Sequence, residues 1–160
     1  MTRRRLIPAL LLLLTPAIAW ADHLPDPNLT PGAVRPGVTT TEVCRPGYTA
    51  ATPPIAREAE AQVLAAYGLA DTHSGYCEAP HGCVIDHLIA AALGGSDQPA
   101  NLWPAPNDGE WNVHFKRKLE EELHRLVCRG ELPMRDAQEA IANDWVAAYR
   151  QYVGEPPDQP

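Results

Sequence analysis

The residues in this sequence that are best suited to chemistry lie between Ile85 and Pro104. Asp86 and His87 are adjacent there, and Asn101 follows them after a pair of glycines. Hydrolysis of a phosphodiester needs a base that activates water, a cation that stabilises charge on the leaving oxygen, and rigid placement of both. A carboxylate can bind the cation and an imidazole can act as the base. An adjacent Asp-His pair could therefore serve phosphodiester hydrolysis, although such a pair alone is common in proteins without catalytic function.

The spacing of these residues also indicates how they would be positioned. Neighbouring residues on a strand point to opposite faces, so Asp86 and His87 could serve different atoms of one phosphate at a strand end. Gly94 and Gly95 permit backbone angles that other residues avoid, which lets the chain turn back. Asn101 carries both donors and an acceptor, with which it could hold the loop behind His87.

A helix predicted over 110–129 follows, because apolar residues recur there at helical spacing: Phe115, Leu119, Leu123 and Leu126. Asn112 and His114 lie near its start and carry side-chain atoms that can bind a metal ion. They are two positions apart and diverge on a helix, so we expect only one of them to face a metal, with His114 the first choice and Asn112 the alternative. Asn112 could instead cap the helix, and His114 could be an ordinary surface histidine.

The runs Asp-His-Leu-Ile, Leu-Gly-Gly and Asn-Leu-Trp-Pro, followed by a helix, resemble the HNH nuclease motif, also called the ββα-metal or His-Me finger. They resemble in particular short exported bacterial proteins of this kind, over about 25–153. The resemblance implies that Asp86 binds a divalent metal, that His87 activates water and that Asn101 steadies the loop. It also implies that a ligand on the helix completes the metal site. One Mg²⁺ ion is expected, with Mn²⁺, Ni²⁺ or Zn²⁺ as alternatives.

Two departures from that family pattern leave room for an altered site. Ala90 stands where the family usually has a proline, and Lys116-Arg117 stands where it tends to have Lys-Asp. The function predicted first is a metal-dependent endonuclease that cuts nucleic acid, with DNA favoured over RNA and no obligate protein partner. The alternatives are a non-catalytic exported binding or structural module on the same scaffold, and a small metal-binding protein.

The beginning of the chain is typical of an export signal. Residues 1–21 combine Arg3 to Arg5, a short apolar run and a final Ala-Trp-Ala, so we expect cleavage before Asp22 and a periplasmic or secreted protein. An uncleaved anchor is the alternative. After cleavage no membrane association is expected, since no other apolar run approaches membrane length.

The charge balance argues against a protein that holds nucleic acid tightly. The formal net charge is −7, and loss of the arginines at the start makes the remaining chain more acidic. An enzyme needs only a local basic surface and benefits from product release. The predicted motif helix offers either such a surface or a mixed-charge, solvated face, because glutamates 120–122 lie among its basic residues Lys116, Arg117, Lys118, Arg125 and Arg129.

The 160 residues suit one domain, and its predicted class is α+β: a ββα-metal finger supported by about three helices and stapled by disulfides. Residues 22–52 are predicted to be an extended arm with at most a short strand near Val43. The domain proper is 53–153, with a first helix capped by Thr52, strands over 83–88 and 101–103, and a last helix over 133–153. Residues 154–160 are expected to be a loose tail.

The four cysteines predict two disulfides in an exported chain. Three pairings are possible. The short spacing of Cys77 and Cys83 favours a bridge between them, which leaves Cys44 to pair with Cys128. The competing hypothesis is a zinc site, but the standard Cys-x-x-Cys spacing is missing from its four candidate ligands: Cys77, Cys83, His73 and His81.

Overall fold

The computed structural model describes residues 23–48, 54–70, 76–77 and 82–156. In this part of the chain, four α-helices and a three-stranded antiparallel sheet form a mixed α/β fold. The helices are α1 (Thr40–Val43), α2 (Arg57–Ala66), α3 (Val113–Cys128) and α4 (Met134–Tyr152); the strands are β1 (Tyr76–Cys77), β2 (Cys83–His87) and β3 (Leu102–Pro106). The predicted signal peptide, the cleavage point before Asp22 and residues 157–160 of the predicted tail lie outside the described residues.

The two strands predicted around the chemical residues pair with each other. The sheet order is β1-β2-β3, and Asp86 lies opposite Trp103 while His87 lies opposite Leu102. β3 extends to Pro106, beyond the predicted end at residue 103. It can contain prolines because it is an edge strand, where a missing N–H removes no hydrogen bond from the outer side.

Helices α3 and α4 pack on each other and form most of the core. Four aromatic side chains meet edge to face between them, with ring centroids 5.4 to 5.7 Å apart: Trp111, Phe115, Trp145 and Tyr149. The apolar stripe of α3 ends on Val127 rather than on the predicted Leu126, and α4 buries Tyr149 near its end. No helix of the described residues is long and apolar enough to cross a membrane.

The N-terminal segment 23–48 packs along the domain, but two local predictions for this region are wrong. The short strand expected near Val43 is the helical turn α1, whose first turn is capped because the Thr39 side chain accepts a hydrogen bond from Glu42 N at 3.2 Å. Helix α2 begins after Ala56, which makes no side-chain cap, and not after Thr52, which lies outside the described residues. A helix was expected directly after Thr52 because proline is tolerated in a first turn, but Pro54 precedes α2.

Both predicted cysteine pairs lie at disulfide distance. The Cα atoms are 5.4 Å apart in Cys44–Cys128 and 5.0 Å apart in Cys77–Cys83, within the range that a disulfide spans. Cys77 and Cys83 are also register partners on β1 and β2. Two such pairs are compatible with an oxidising compartment.

We expect peptide mapping of unreduced, alkylated protein to recover two cross-linked peptides, one for each pair. Because the pairing partners lie on different elements, a scrambled pairing would displace β1 or α1 from its neighbour. The same digest after reduction is the control, and it should release all four cysteines as separate peptides. Four alkylated cysteines without reduction, together with a bound zinc ion, would contradict this assignment.

Candidate functional site

The end of β2 presents Asp86 and His87 in different directions, as expected for neighbours on a strand. The Asp86 side chain is 27 % exposed and its Oδ2 faces the ammonium of Lys116 at 3.0 Å. The His87 side chain is 13 % exposed and points to Asp97. Asp86 therefore contacts helix α3, and His87 contacts the loop before β3.

His87 is held by a carboxylate that the sequence did not single out. Its Nε2 lies 2.7 Å from Oδ1 of Asp97, which follows the Gly94-Gly95 turn. A carboxylate accepts hydrogen bonds, so this contact favours the histidine tautomer in which Nε2 donates and Nδ1 is the acceptor. An acid in the loop between the histidine and Asn101 was the only sequence signal that could have indicated this pair.

Asn101 fixes the same loop from within. Its side chain is fully buried. Its Nδ2 donates to Ile89 O at 3.0 Å and to Ser96 O at 2.9 Å, while its Oδ1 accepts from Ile89 N at 2.9 Å and Ala33 N at 3.3 Å. The amide thus forms hydrogen bonds to the backbone at both ends of the loop, at Ile89 and Ser96, and to the backbone of the N-terminal segment at Ala33. These are the contacts expected of a residue that steadies the loop behind His87, and its part in catalysis stays a prediction.

The loop closes so tightly that one of its glycines has no room for a side chain. Gly95 N donates to Ala90 O at 2.9 Å, and a Cβ on Gly95 would lie 1.7 Å from Ile89 O. Gly94 has a φ of +81°, in the left-handed region that favours glycine. The two glycines were predicted to permit a turn, and close backbone approach is the second reason for Gly95.

Lys116 belongs to neither of the two surfaces considered for this helix, a phosphate-facing one and a mixed-charge, solvated one. It is fully buried, and its Nζ contacts Asp86 Oδ2, the His87 carbonyl oxygen and Glu120 Oε1. Burial acts to lower the pKa of Lys116, but the charges of Asp86 and Glu120 outweigh it, so that this pKa is raised and the ammonium stays charged. A helix position that reads as exposed is buried here because two carboxylates supply its counter-charge.

The Lys116 ammonium faces two carboxylates, and Glu120, the more buried of the two, has the larger cost of losing its water when it is ionised. Burial, opposed by Lys116 and supported by the charge of Asp86, raises the pKa of Glu120 to about 7. In an unfolded chain the same group titrates near its ordinary value of 4.5. Between these two pH values the folded protein binds more protons than the unfolded chain, so this group makes the free energy of unfolding fall as pH rises.

We therefore expect Glu120→Gln to flatten the pH dependence of stability. Between about pH 5 and pH 8, the free energy of unfolding of wild type should fall relative to that of the variant by roughly 1–3 kcal/mol. Urea unfolding with a chelator present measures it. Glu122→Gln is the control. The hydrogen bond from Arg125 lowers the pKa of Glu122, so this substitution should change the pH dependence of stability only at more acidic pH. A wild-type curve parallel to the Glu120→Gln curve over this range would contradict the assignment.

The two candidate ligands on α3 differ in their surroundings. Asn112 is the N-cap of the helix: its Oδ1 accepts from His114 N at 2.9 Å and its Nδ2 donates to Gly109 O at 3.1 Å. The capping interpretation of Asn112 is therefore confirmed, and an oxygen engaged in a cap is the weaker candidate ligand. The His114 side chain is exposed, which keeps it the first choice.

The predicted ligands do not form a closed metal cage. Among the described residues, a group of three His, Cys, Asp or Glu ligand atoms within 4.8 Å of one another occurs only at Cys44, His124 and Cys128. Cys44 and Cys128 lie at disulfide distance, and sulfurs joined in a disulfide are not thiolate ligands. At Asp86, Oδ2 faces Lys116, which leaves Oδ1 for a cation. One carboxylate oxygen suits Mg²⁺, which retains waters and is completed by substrate phosphates, better than it suits Zn²⁺.

The exposed face of α3 is largely a mixed-charge surface. Arg125 pairs with Glu122 at 2.6 Å, and Arg129 pairs with Glu131 at 2.6 Å. Arg117 and Lys118 are exposed on the same helix. This arrangement favours the solvated-face interpretation over a continuous phosphate-binding surface, and leaves a small local basic patch near the start of the helix.

Comparison with known proteins gives no match. No family model fits the chain, and no curated protein and no solved structure is similar to it at a significant level. The resemblance to the HNH motif therefore rests on the residues quoted above. What can be stated directly is a mixed α/β fold in which one loop, closed by Asn101 and Gly95, brings His87 and Asp97 together beside Asp86.

Proposed function

We propose that this protein is an exported, metal-dependent endonuclease of the HNH type, which hydrolyses phosphodiester bonds in nucleic acid and prefers DNA to RNA. The observation that carries the proposal is the contact between His87 and Asp97 at the end of β2, directly beside Asp86. An imidazole fixed by a carboxylate is an arrangement suited to a general base. The succession of β2, β3 and α3 is also the order that a ββα finger requires.

In this proposal His87 takes the proton from the attacking water. Asp97 accepts the hydrogen on Nε2, which holds the ring in one orientation and leaves Nδ1 as the proton acceptor. As the water loses its proton, the ring becomes an imidazolium whose charge the Asp97 carboxylate stabilises. Asn101 keeps the loop from moving away, because each of its side-chain hydrogen bonds ends on the backbone of that loop or of the N-terminal segment.

Asp86 would hold the divalent metal through Oδ1, with His114 as the candidate second ligand and Asn112 as the alternative. A bound Mg²⁺ would supply charge stabilisation for the leaving 3′ oxygen. The two cysteine pairs and the sequence at the chain start support export to the periplasm or the medium. The acidic balance fits an enzyme that releases its product rather than one that stays bound to nucleic acid.

The test is a plasmid-degradation assay with mature protein. We expect DNA to be cut with Mg²⁺ present and to stay intact with excess chelator, with activity restored when Mg²⁺ is added back. Parallel reactions with single-stranded DNA and with RNA establish the preference. If folded protein leaves DNA and RNA intact with Mg²⁺, Mn²⁺, Ni²⁺ and Zn²⁺, the endonuclease proposal is wrong.

A non-catalytic exported module on the same scaffold is the second candidate. It is favoured by the net charge of −7 and by the acidic partners of Arg125 and Arg129 on α3, which leave little surface for binding phosphates. This candidate predicts the fold and both disulfides but no metal-dependent cutting. The plasmid assay therefore separates the two candidates directly.

A further inference from the structure

Lys116 is the one fully buried ammonium of the described chain, and the site as proposed so far gives it no task. An ammonium has three N–H donors, and here three oxygens receive them: Asp86 Oδ2, the His87 carbonyl and Glu120 Oε1. Two of these oxygens belong to the consecutive residues that carry the proposed chemistry. The third lies one helical turn further along α3.

Stability alone does not account for this arrangement. Replacing a buried ion pair by apolar side chains of similar size is often neutral or stabilising, because two charges must lose their water. The contacts of Lys116 instead fix geometry: they tie the last two residues of β2 to the first turns of α3. The ammonium also donates a hydrogen bond to Asp86 Oδ2, whereas Asp86 Oδ1 has no protein partner among the described residues.

We infer that Lys116 is a positioning residue for the metal. Its ammonium holds Oδ2 of Asp86 and the backbone of His87, and so directs Oδ1 of Asp86 towards the cation and sets the distance between β2 and α3. This inference rests on the proposed metal site at Asp86. It places a bound cation close to the Lys116 side chain, on the far side of a shared carboxylate.

The composition of the chain makes this placement measurable without any mutation. Lys116 and Lys118 are the only lysines in the sequence. Lys118 is exposed and its Nζ lies 5.5 Å from the centre of the Phe115 ring, whereas the Lys116 Nζ lies 3.0 Å from Asp86 Oδ2. Protein labelled with ¹³C-lysine therefore gives one buried reporter and one exposed reference on the same helix.

We expect Mn²⁺, added below one equivalent to folded wild-type protein, to broaden the ε-methylene signals of Lys116 selectively. Those of Lys118 should stay sharp, and diamagnetic Mg²⁺ should compete the effect away. Asp86→Asn should abolish the selective broadening. Equal broadening of both lysines, or sharp Lys116 signals at saturating Mn²⁺, would overturn the inference.

The functional consequence is tested with Lys116→Met and the matched variant Lys118→Met. Residues that orient a metal ligand typically contribute roughly 10–100-fold in metal affinity or activity, so Lys116→Met should raise the Mg²⁺ concentration for half-maximal cutting by about that factor. Lys118→Met removes a charge from the basic patch but touches no proposed metal ligand, so it should leave this Mg²⁺ midpoint unchanged. A merely structural role of Lys116 would reduce the folded fraction at every Mg²⁺ concentration without moving this midpoint, and an unmoved midpoint would overturn the inference.

The two proposals can fail separately. If the protein cuts no nucleic acid but Mn²⁺ selectively broadens Lys116 in an Asp86-dependent way, the positioning role stands and the endonuclease proposal is wrong. If the protein cuts nucleic acid while Mn²⁺ leaves the Lys116 signals sharp, the endonuclease proposal stands and the positioning role of Lys116 is wrong. The NMR measurement uses wild-type protein, so it decides the question even if Lys116→Met does not fold.

Discussion

Replacing His87 by alanine should lower the turnover number for DNA cleavage by about 10²–10⁴-fold, because general-base catalysis contributes a factor of that size. The side chain is 13 % exposed and makes its hydrogen bond to Asp97, so its removal leaves the surrounding loop bonds of Asn101 in place. DNA binding should therefore persist while hydrolysis is lost. Single-turnover cleavage at saturating Mg²⁺ measures the effect.

Four further variants give this prediction its controls. Asp97→Asn should also lower turnover, though less than His87→Ala, because an amide can donate to Nε2 and so select the wrong tautomer. His114→Ala should shift the Mg²⁺ requirement instead of the turnover at saturating metal, as should Asn112→Ala if Asn112 is the ligand. His23→Ala, in the N-terminal segment, should have no effect. Full turnover in folded His87→Ala would remove His87 from the mechanism.

The largest expected loss of stability from a single methyl group is at Gly95. A Cβ there would lie 1.7 Å from Ile89 O and 2.9 Å from Ala90 O, which are backbone atoms that cannot rotate away. Gly95→Ala must therefore open the loop that also carries Asp97, and we expect a loss of about 3 kcal/mol or more in the free energy of unfolding. Urea unfolding of the two proteins measures the difference.

Gly37→Ala is the matched control for Gly95→Ala. Gly37 has a φ of +74°, but nothing lies within 4 Å of the position that an added methyl group would take, so only the left-handed backbone penalty of about 1–2 kcal/mol applies. The variant at Gly95 should in addition lose activity in whatever fraction stays folded, since the loop holds Asp97 against His87. Equal losses of stability at both glycines would show that the loop relaxes more easily than its contacts indicate.

Elements with a strong local pattern could be predicted from the sequence. Helices α3 and α4 follow from apolar residues at helical spacing, and both lie within the ranges predicted for them. Strand β2 was predicted to within one residue, and the cysteine pairs were predicted from the expected export of the chain and one short spacing. Each of these predictions depends only on residues that are close together in the chain, or on the number of cysteines. Helix α1 was missed because its four residues carry too short a pattern to recognise.

The sequence by itself determined which residues could act: Asp86, His87 and Asn101, in an order that suits phosphodiester chemistry. Only the tertiary structure decided how they are held. Lys116 is buried because Asp86, thirty positions earlier in the chain, and Glu120 close around its ammonium. Asp97 is a partner of His87 because a loop closed by the buried amide of Asn101 brings it within 2.7 Å. Contacts of this kind depend on where the folded backbone places distant side chains, and spacing along the sequence carries no record of that.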